Sequence, residues 1–320
     1  MTKSHILRII RLIVTVGIIA FLIYRVDRGE VVRHLKGIAV LPLCLAAVMD
    51  FAMILTNSIR WRVLLRAKGI RSSQVKLVYY YLVGNFFSAF LPTAVGGDVV
   101  RIVGMSAEAD RRADIFASVL VERLLGFFVL LPIGLCALPL IGREQVEWRQ
   151  VATVWVVVGL MFLAAYIVLL RPVARRLSRV LDPLLGLFHK FKARERLERA
   201  YEAVVSYSCC RPALYKGFTL SVLSRLLWIS GCFLVARAFS IELSYTSLLV
   251  VVPVVELARM IPISFAGIGI REATFAAMLK PFGVAESLGL AYSAVVYLVF
   301  MLFALIGGLL YGTRQFLRKS

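Results

Sequence analysis

Stretches of about twenty apolar residues recur along nearly the whole chain, and no other feature limits its fold as strongly. A helix needs about 20 such residues to cross roughly 30 Å of hydrocarbon. Six stretches are long enough to cross as single helices, at residues 6–24, 38–58, 113–140, 151–170, 214–238 and 285–311. With 61% of its 320 residues hydrophobic and a mean hydropathy of +0.87, the sequence leaves little chain for a separate soluble domain. Inside lipid every backbone N–H and C=O must be satisfied within its own segment, so the expected class is an all-α polytopic membrane protein.

Two further apolar stretches, residues 75–91 and 243–261, run into proline, then glycine, then charge. The distribution of Lys and Arg shows how to treat them, because basic loops stay on the cytoplasmic side. Basic residues dominate the N-terminus (Lys3, Arg8, Arg11), residues 60–76, residues 171–216 and the C-terminus (Arg314, Arg318, Lys319). The loop at 142–149 and the link near Ile241 are close to neutral and belong outside. The chain is therefore inside at Arg66 and still inside at about Arg112, so residues 75–101 enter and leave by one face. By the same count residues 243–280 form a hairpin that enters from the opposite face.

The two hairpins resemble each other. LPTAVGGDVVR (91–101) and IPISFAGIGIR (261–271) each place a glycine five positions after a proline and an arginine nine positions after it. Each follows one span and precedes another, in opposite orientation, which is the pattern of an inverted-topology repeat with a substrate site near the midplane. The expectation is one transmembrane domain over 1–320 with six spanning helices and two opposed re-entrant hairpins. Its parts are a first span and loop (1–36), a first repeat half (37–141), a span with a cytoplasmic amphipathic linker (142–212) and a second repeat half (213–320). In the linker, Leu177, Leu181, Leu184, Phe188 and Phe191 recur at helical spacing among Arg and Lys, as in helices lying in the membrane interface.

The net charge of +20 lies in short segments between apolar runs, a pattern that reads as topology and anionic-lipid contact and not as a nucleic-acid surface. The five cysteines have no metal or redox spacing, and the three histidines sit at segment ends, so no cofactor, metal or catalytic triad is expected. Gly267 and Gly269 form a GxG without a preceding strand, which does not make a dinucleotide site. The first span is expected to be retained, because no small-residue cleavage site follows it.

Ionisable groups inside hydrocarbon are costly unless paired or hydrated, so each is a candidate for function. Asp98 and Arg101 follow the first hairpin's glycines, Glu122 and Arg123 lie well inside the third span, Glu256 and Arg259 sit on the second hairpin, and Arg271 and Glu272 follow its glycines. Asp50 and Arg225 stand alone in their spans. These groups could pair and hold the bundle together. Alternatively, the arginines, with backbone N–H groups freed at Pro92, Gly96, Gly97, Pro262, Gly267 and Gly269, could hold an anionic head group such as a phosphate. Asn85 could cap exposed backbone or touch that head group.

NFFSAFLPTAVGGDVVR, SVLVERLLGFF and IPISFAGIGIREATF, in that order and spacing, resemble the signatures of the lysylphosphatidylglycerol synthase transmembrane, flippase-like family. The resemblance implies movement of a lipid with a modified head group between leaflets. It implicates Asn85, Pro92, Gly96, Gly97, Asp98, Arg101, Glu122, Arg123, Pro262, Ser264, Gly267, Gly269, Arg271 and Glu272. The aminoacyltransferase domain of the family's synthases is not seen in this sequence, so the expected role is a lipid transporter of the bacterial inner (plasma) membrane, with both termini cytoplasmic, and not an enzyme. Two alternatives stand beside it: a non-transporting partner of a lipid- or glycan-modifying enzyme, and an enzyme acting on a lipid-linked substrate. The expected partners are membrane lipids, with an anionic or head-group-modified lipid as substrate. Homodimerisation is left open.

Overall fold

The computed structural model describes residues 37–91, 96–106, 111–140, 156, 159, 202–259 and 269–319. The span expected at 6–24, that at 151–170 apart from residues 156 and 159, most of the amphipathic linker, and Pro92, Pro262, Ser264 and Gly267 lie outside the described residues. All the regular structure described is helical: α1 (Val40–Ala67), α2 (Gln74–Phe90), α3 (Gly96–Ser106), α4 (Arg112–Ala137), α5 (Arg211–Ala238), α6 (Tyr245–Ala258), α7 (Ile270–Leu279) and α8 (Glu286–Lys319). Four of them, α1, α4, α5 and α8, are long and apolar enough to cross a membrane. They coincide with the sequence-predicted spans at 38–58, 113–140, 214–238 and 285–311.

Two ends differ from the sequence reading. Helix α1 runs to Ala67 and not to Ser58, which places Arg60 on a helix and not in a basic loop. The cause is the run Trp61, Leu64, Leu65, which continues the buried face for two more turns. Helix α5 likewise begins at Arg211, with Pro212 in its first turn, where a missing N–H costs nothing.

The outward faces are apolar. On α8, Leu298, Leu302, Leu305 and Leu309 are exposed at spacings of four, three and four, and on α1 Leu41, Leu45 and Val48 do the same. A helix that is apolar on both faces needs lipid as its outer solvent.

Between the long helices lie two pairs of short ones, α2 with α3 and α6 with α7. The pair α2 and α3 pack closely. A Cβ on Gly97 would collide with the Gly84 carbonyl oxygen and the Ser88 hydroxyl, so only glycine allows this approach. Gly96 and Gly97 are themselves helical, the first two residues of α3, so they permit contact between the arms and do not form the break itself.

The turn from α1 into α2 is repeated, bond for bond, 171 positions later between α5 and α6. Gly69 has φ +72° and Ser240 has φ +56°, both left-handed. Ile70 N donates to Leu65 O and Ile241 N to Ala236 O, each at 3.0 Å. Ser73 then caps α2 by accepting from Lys76 N, as Ser244 caps α6 by accepting from Ser247 N. The sequence carries this as RAKGIRSS (66–73) against RAFSIELS (237–244), a repeat in addition to the Pro-Gly-Arg one.

Helices α1 and α5 pack side by side and antiparallel. Ala39 N bonds Ala238 O at 3.0 Å, Asn57 Oδ1 accepts from Ser224 at 2.6 Å, and Arg60 reaches Ser221 at 2.9 Å, so rising numbers on α1 meet falling numbers on α5. Exchanging α1–α4 with α5–α8 maps the packing onto itself: α2 lies on α8 as α6 lies on α4, α3 on α4 as α7 on α8, and α1 on α8 as α5 on α4. Each half has an apolar core, one around Ile54, Trp61, Tyr80 and Ile115, the other around Ile229, Leu248, Phe275 and Tyr292.

Candidate functional site

The charged side chains converge on a cavity of about 270 Å³ between the halves. It is lined by Asn57 and Arg60 of α1, Asn85, Ser88 and Ala89 of α2, Asp98 and Arg101 of α3, Glu122, Arg123, Gly126 and Phe127 of α4, Arg225 of α5, Glu256 at the end of α6 with Arg259 just beyond, and Tyr297 and Phe300 of α8.

Glu122 is the centre of the first cluster. It is 3% exposed, and its carboxylate accepts from Arg60 at 2.8 Å, from Arg101 at 2.7 Å and from the Tyr81 hydroxyl. Arg101 lies over the Trp61 and Tyr81 rings, at 4.3 and 3.8 Å from their centroids, so its flat face is packed while its edge bonds the acid. Trp61 is fixed in turn by donating from Nε1 to Ser118 at 2.9 Å. Asp98 accepts from Arg123 and, more loosely at 3.4 Å, from Arg101.

The second cluster is simpler. Glu256 accepts from Arg259 at 2.8 Å and from Arg225 at 3.3 Å, and Arg225 also approaches the Gly126 carbonyl at 3.4 Å. The side chains of Arg225, Glu256 and Arg259 keep 21%, 17% and 30% of their surface, against 8%, 6% and 5% for Arg60, Arg101 and Glu122. The group around Glu122 is therefore more enclosed than the second cluster, while at its Asp98 edge Arg123 keeps 31% and is as open as Arg259.

Among the described residues five guanidiniums (Arg60, Arg101, Arg123, Arg225, Arg259) line the cavity against three carboxylates (Asp98, Glu122, Glu256), an excess of two positive charges. A low-dielectric cavity with that balance favours an anion, and guanidinium forks suit the tetrahedral oxygens of a phosphate. Among the described residues no group of His, Cys, Asp and Glu could hold a metal ion.

Of the residues singled out from sequence, Asn85, Asp98, Arg101, Glu122, Arg123, Arg225 and Glu256 line this cavity together. Arg271 and Glu272 do not. They pair with each other at the start of α7, where Glu272 also accepts from Gly269 N at 2.7 Å and caps the helix. Arg271 lies over the Tyr297 ring at 4.0 Å, one layer behind the cavity wall. Gly269, with φ +87°, is the turn residue that precedes α7. Sequence reasoning missed Arg60, whose basic neighbours Arg62 and Arg66 made it look like loop, and the aromatic clamp of Trp61 and Tyr81. The available signal was the apolar period continuing past Arg60.

Residues 8–308 match the family model described as the lysylphosphatidylglycerol synthase TM region. Two curated relatives from Methanothermobacter thermautotrophicus, each described as "UPF0104 membrane protein", are similar over most of the chain. One is 26% identical over 310 residues, 90% of this chain and 90% of the relative, and the other 23% identical over 326 residues, 94% and 92%.

Proposed function

The chain belongs to the lysylphosphatidylglycerol synthase TM region family, and from that premise we propose that it moves a lipid with a phosphate-containing head group between the leaflets of the inner (plasma) membrane. The observation that carries this reading is the cavity's excess of two positive charges, contributed by both halves of the chain. The head group occupies the cavity while the acyl chains stay in lipid. The two halves are an inverted-topology repeat, and the pairs α2–α3 and α6–α7 are re-entrant hairpins entering from opposite faces. The antiparallel α1–α5 pair, the repeated turn and the exchange symmetry of the packing support that arrangement. The basic segments support a cytoplasmic position for both termini.

Arg259 is the residue to test, because it is the most open guanidinium of the second cluster. Removing one charge-assisted partner of a phosphate costs about 1.5–3 kcal/mol. In proteoliposomes carrying a head-group-labelled anionic phospholipid, Arg259→Gln should therefore slow transfer about 10- to 100-fold. Equal rates for wild type and variant would remove this mechanism. The partner-protein alternative drew its support from the amphipathic linker, most of which lies outside the described residues.

A further inference from the structure

One buried acid lies outside the cavity and has no part in the charge network. Asp50 of α1 is 2% exposed, and among the described residues neither of its carboxyl oxygens has a hydrogen-bond partner. It faces Trp228, Gly231 and Cys232 of α5 and Val296 and Val299 of α8 across a void of about 10 Å³. That is no more than the space one water needs. The Trp228 Nε1 on the same wall also has no partner among the described residues.

The groups around Asp50 supply no counter-charge. On α5 the titratable group facing it is the Cys232 thiol, and the α8 residues lining the void are both valines. The nearest ion pair of α5, Arg225 with Glu256, faces the main cavity instead. Among the described residues no cation pairs with Asp50. A carboxylate held there without a counter-ion would carry a desolvation penalty of several kcal/mol, whereas the neutral acid leaves only ordinary polar groups to satisfy.

Position connects this acid to the cavity. Asp50 and Asn57 are seven residues apart, two turns along one face of α1, or about 10 Å. Asn57 lines the cavity and accepts from Ser224 of α5, so the void and the cavity lie along the same α1–α5 seam.

We propose that Asp50 is a proton-binding site, loaded in this conformation and emptied only when the seam between α1, α5 and α8 opens to water. On opening, the carboxyl O–H bond breaks, the proton passes to water, and the carboxylate is stabilised by hydration until the seam closes on a new proton. Occupancy by a proton stands on the burial and missing partners of Asp50 alone; its use to drive lipid movement rests on the transport reading above.

Two measurements separate these claims. Infrared difference spectra of the purified protein in membranes at neutral pH, wild type minus Asp50→Asn, should contain a C=O stretch of a protonated carboxyl. Asp50→Glu, which keeps the acid, should retain a shifted band. In proteoliposomes with a labelled anionic phospholipid, a pH gradient should change the initial rate of wild type and leave that of Asp50→Asn unresponsive. Absence of the band from the difference spectrum overturns the site, and a wild-type rate indifferent to the gradient overturns the coupling. If no lipid moves at all, the transport reading and the coupling fall together, and the infrared band still upholds or overturns the protonated acid.

Discussion

The two halves share a backbone plan and differ in how they hold charge. In the first, Glu122 is locked by two arginines and a tyrosine, and Arg101 is clamped between two rings. In the second, Glu256 meets two arginines that keep a fifth to a third of their side-chain surface. The third helix of each half carries an arginine over an aromatic ring, Arg101 in α3 and Arg271 in α7. Yet Arg101 reaches an acid on α4 where Arg271 reaches Tyr297 on α8. A duplicated frame therefore carries an enclosed acid, Glu122, in one half and a more open one, Glu256, in the other, with Arg123 of the first half as open as Arg259 of the second. In the proposed transport, the enclosed Glu122 group presents a fixed field, and the open arginines engage and release the head group.

This contrast breaks most easily at the two acids. Glu122→Gln leaves Arg60 buried without a counter-ion and Arg101 with only the looser Asp98 contact at 3.4 Å, a loss of about 3–5 kcal/mol. Glu256→Gln frees arginines that can turn to the cavity, and should cost clearly less. Thermal unfolding of the two variants in one detergent measures the difference; equal losses would mean that the two acids are held alike.

A smaller effect tests the hairpin. Gly97→Val drives a side chain into the Gly84 carbonyl, and overpacking of this kind costs about 1–3 kcal/mol. Unfolding of this variant should begin with separation of α2 from α3, seen as faster amide exchange in 74–90 than in 245–258. Uniform exchange would contradict the close approach.

The smallest effect lies in the repeated turn. Ser240 holds a left-handed conformation that Gly69 adopts without a Cβ. Ser240→Gly should therefore stabilise, and Gly69→Ser destabilise, each by about 1 kcal/mol. Two shifts of one sign would show that the turns are not equivalent.

Much of this was legible in the sequence because lipid imposes a simple length rule. The spans at 113–140 and 285–311 match α4 and α8 closely for that reason, and the Pro-Gly-Arg match runs from the end of α2 into α3 and from beyond α6 into α7. The rest depended on tertiary context. Arg60 reads as a loop residue by charge counting, and only its contact with Glu122, 62 positions away, makes it part of the cavity. Arg271 looks equivalent to Arg101, but its distance from the cavity depends on Tyr297, which no local pattern reveals. The RAKGIRSS and RAFSIELS match was visible and is as informative as the hairpin motif, since both turns need the same caps.

The central claim is that two oppositely oriented halves build one cation-rich cavity for a phosphate head group. Native mass spectrometry of the protein released from membranes tests it most directly, comparing wild type with Arg225→Gln/Arg259→Gln. Wild type should retain a phosphate-bearing lipid, and the double variant, with its fold intact by circular dichroism, should lose it. Retention of the same lipid by both proteins, or of neutral lipids alone by wild type, would contradict the account.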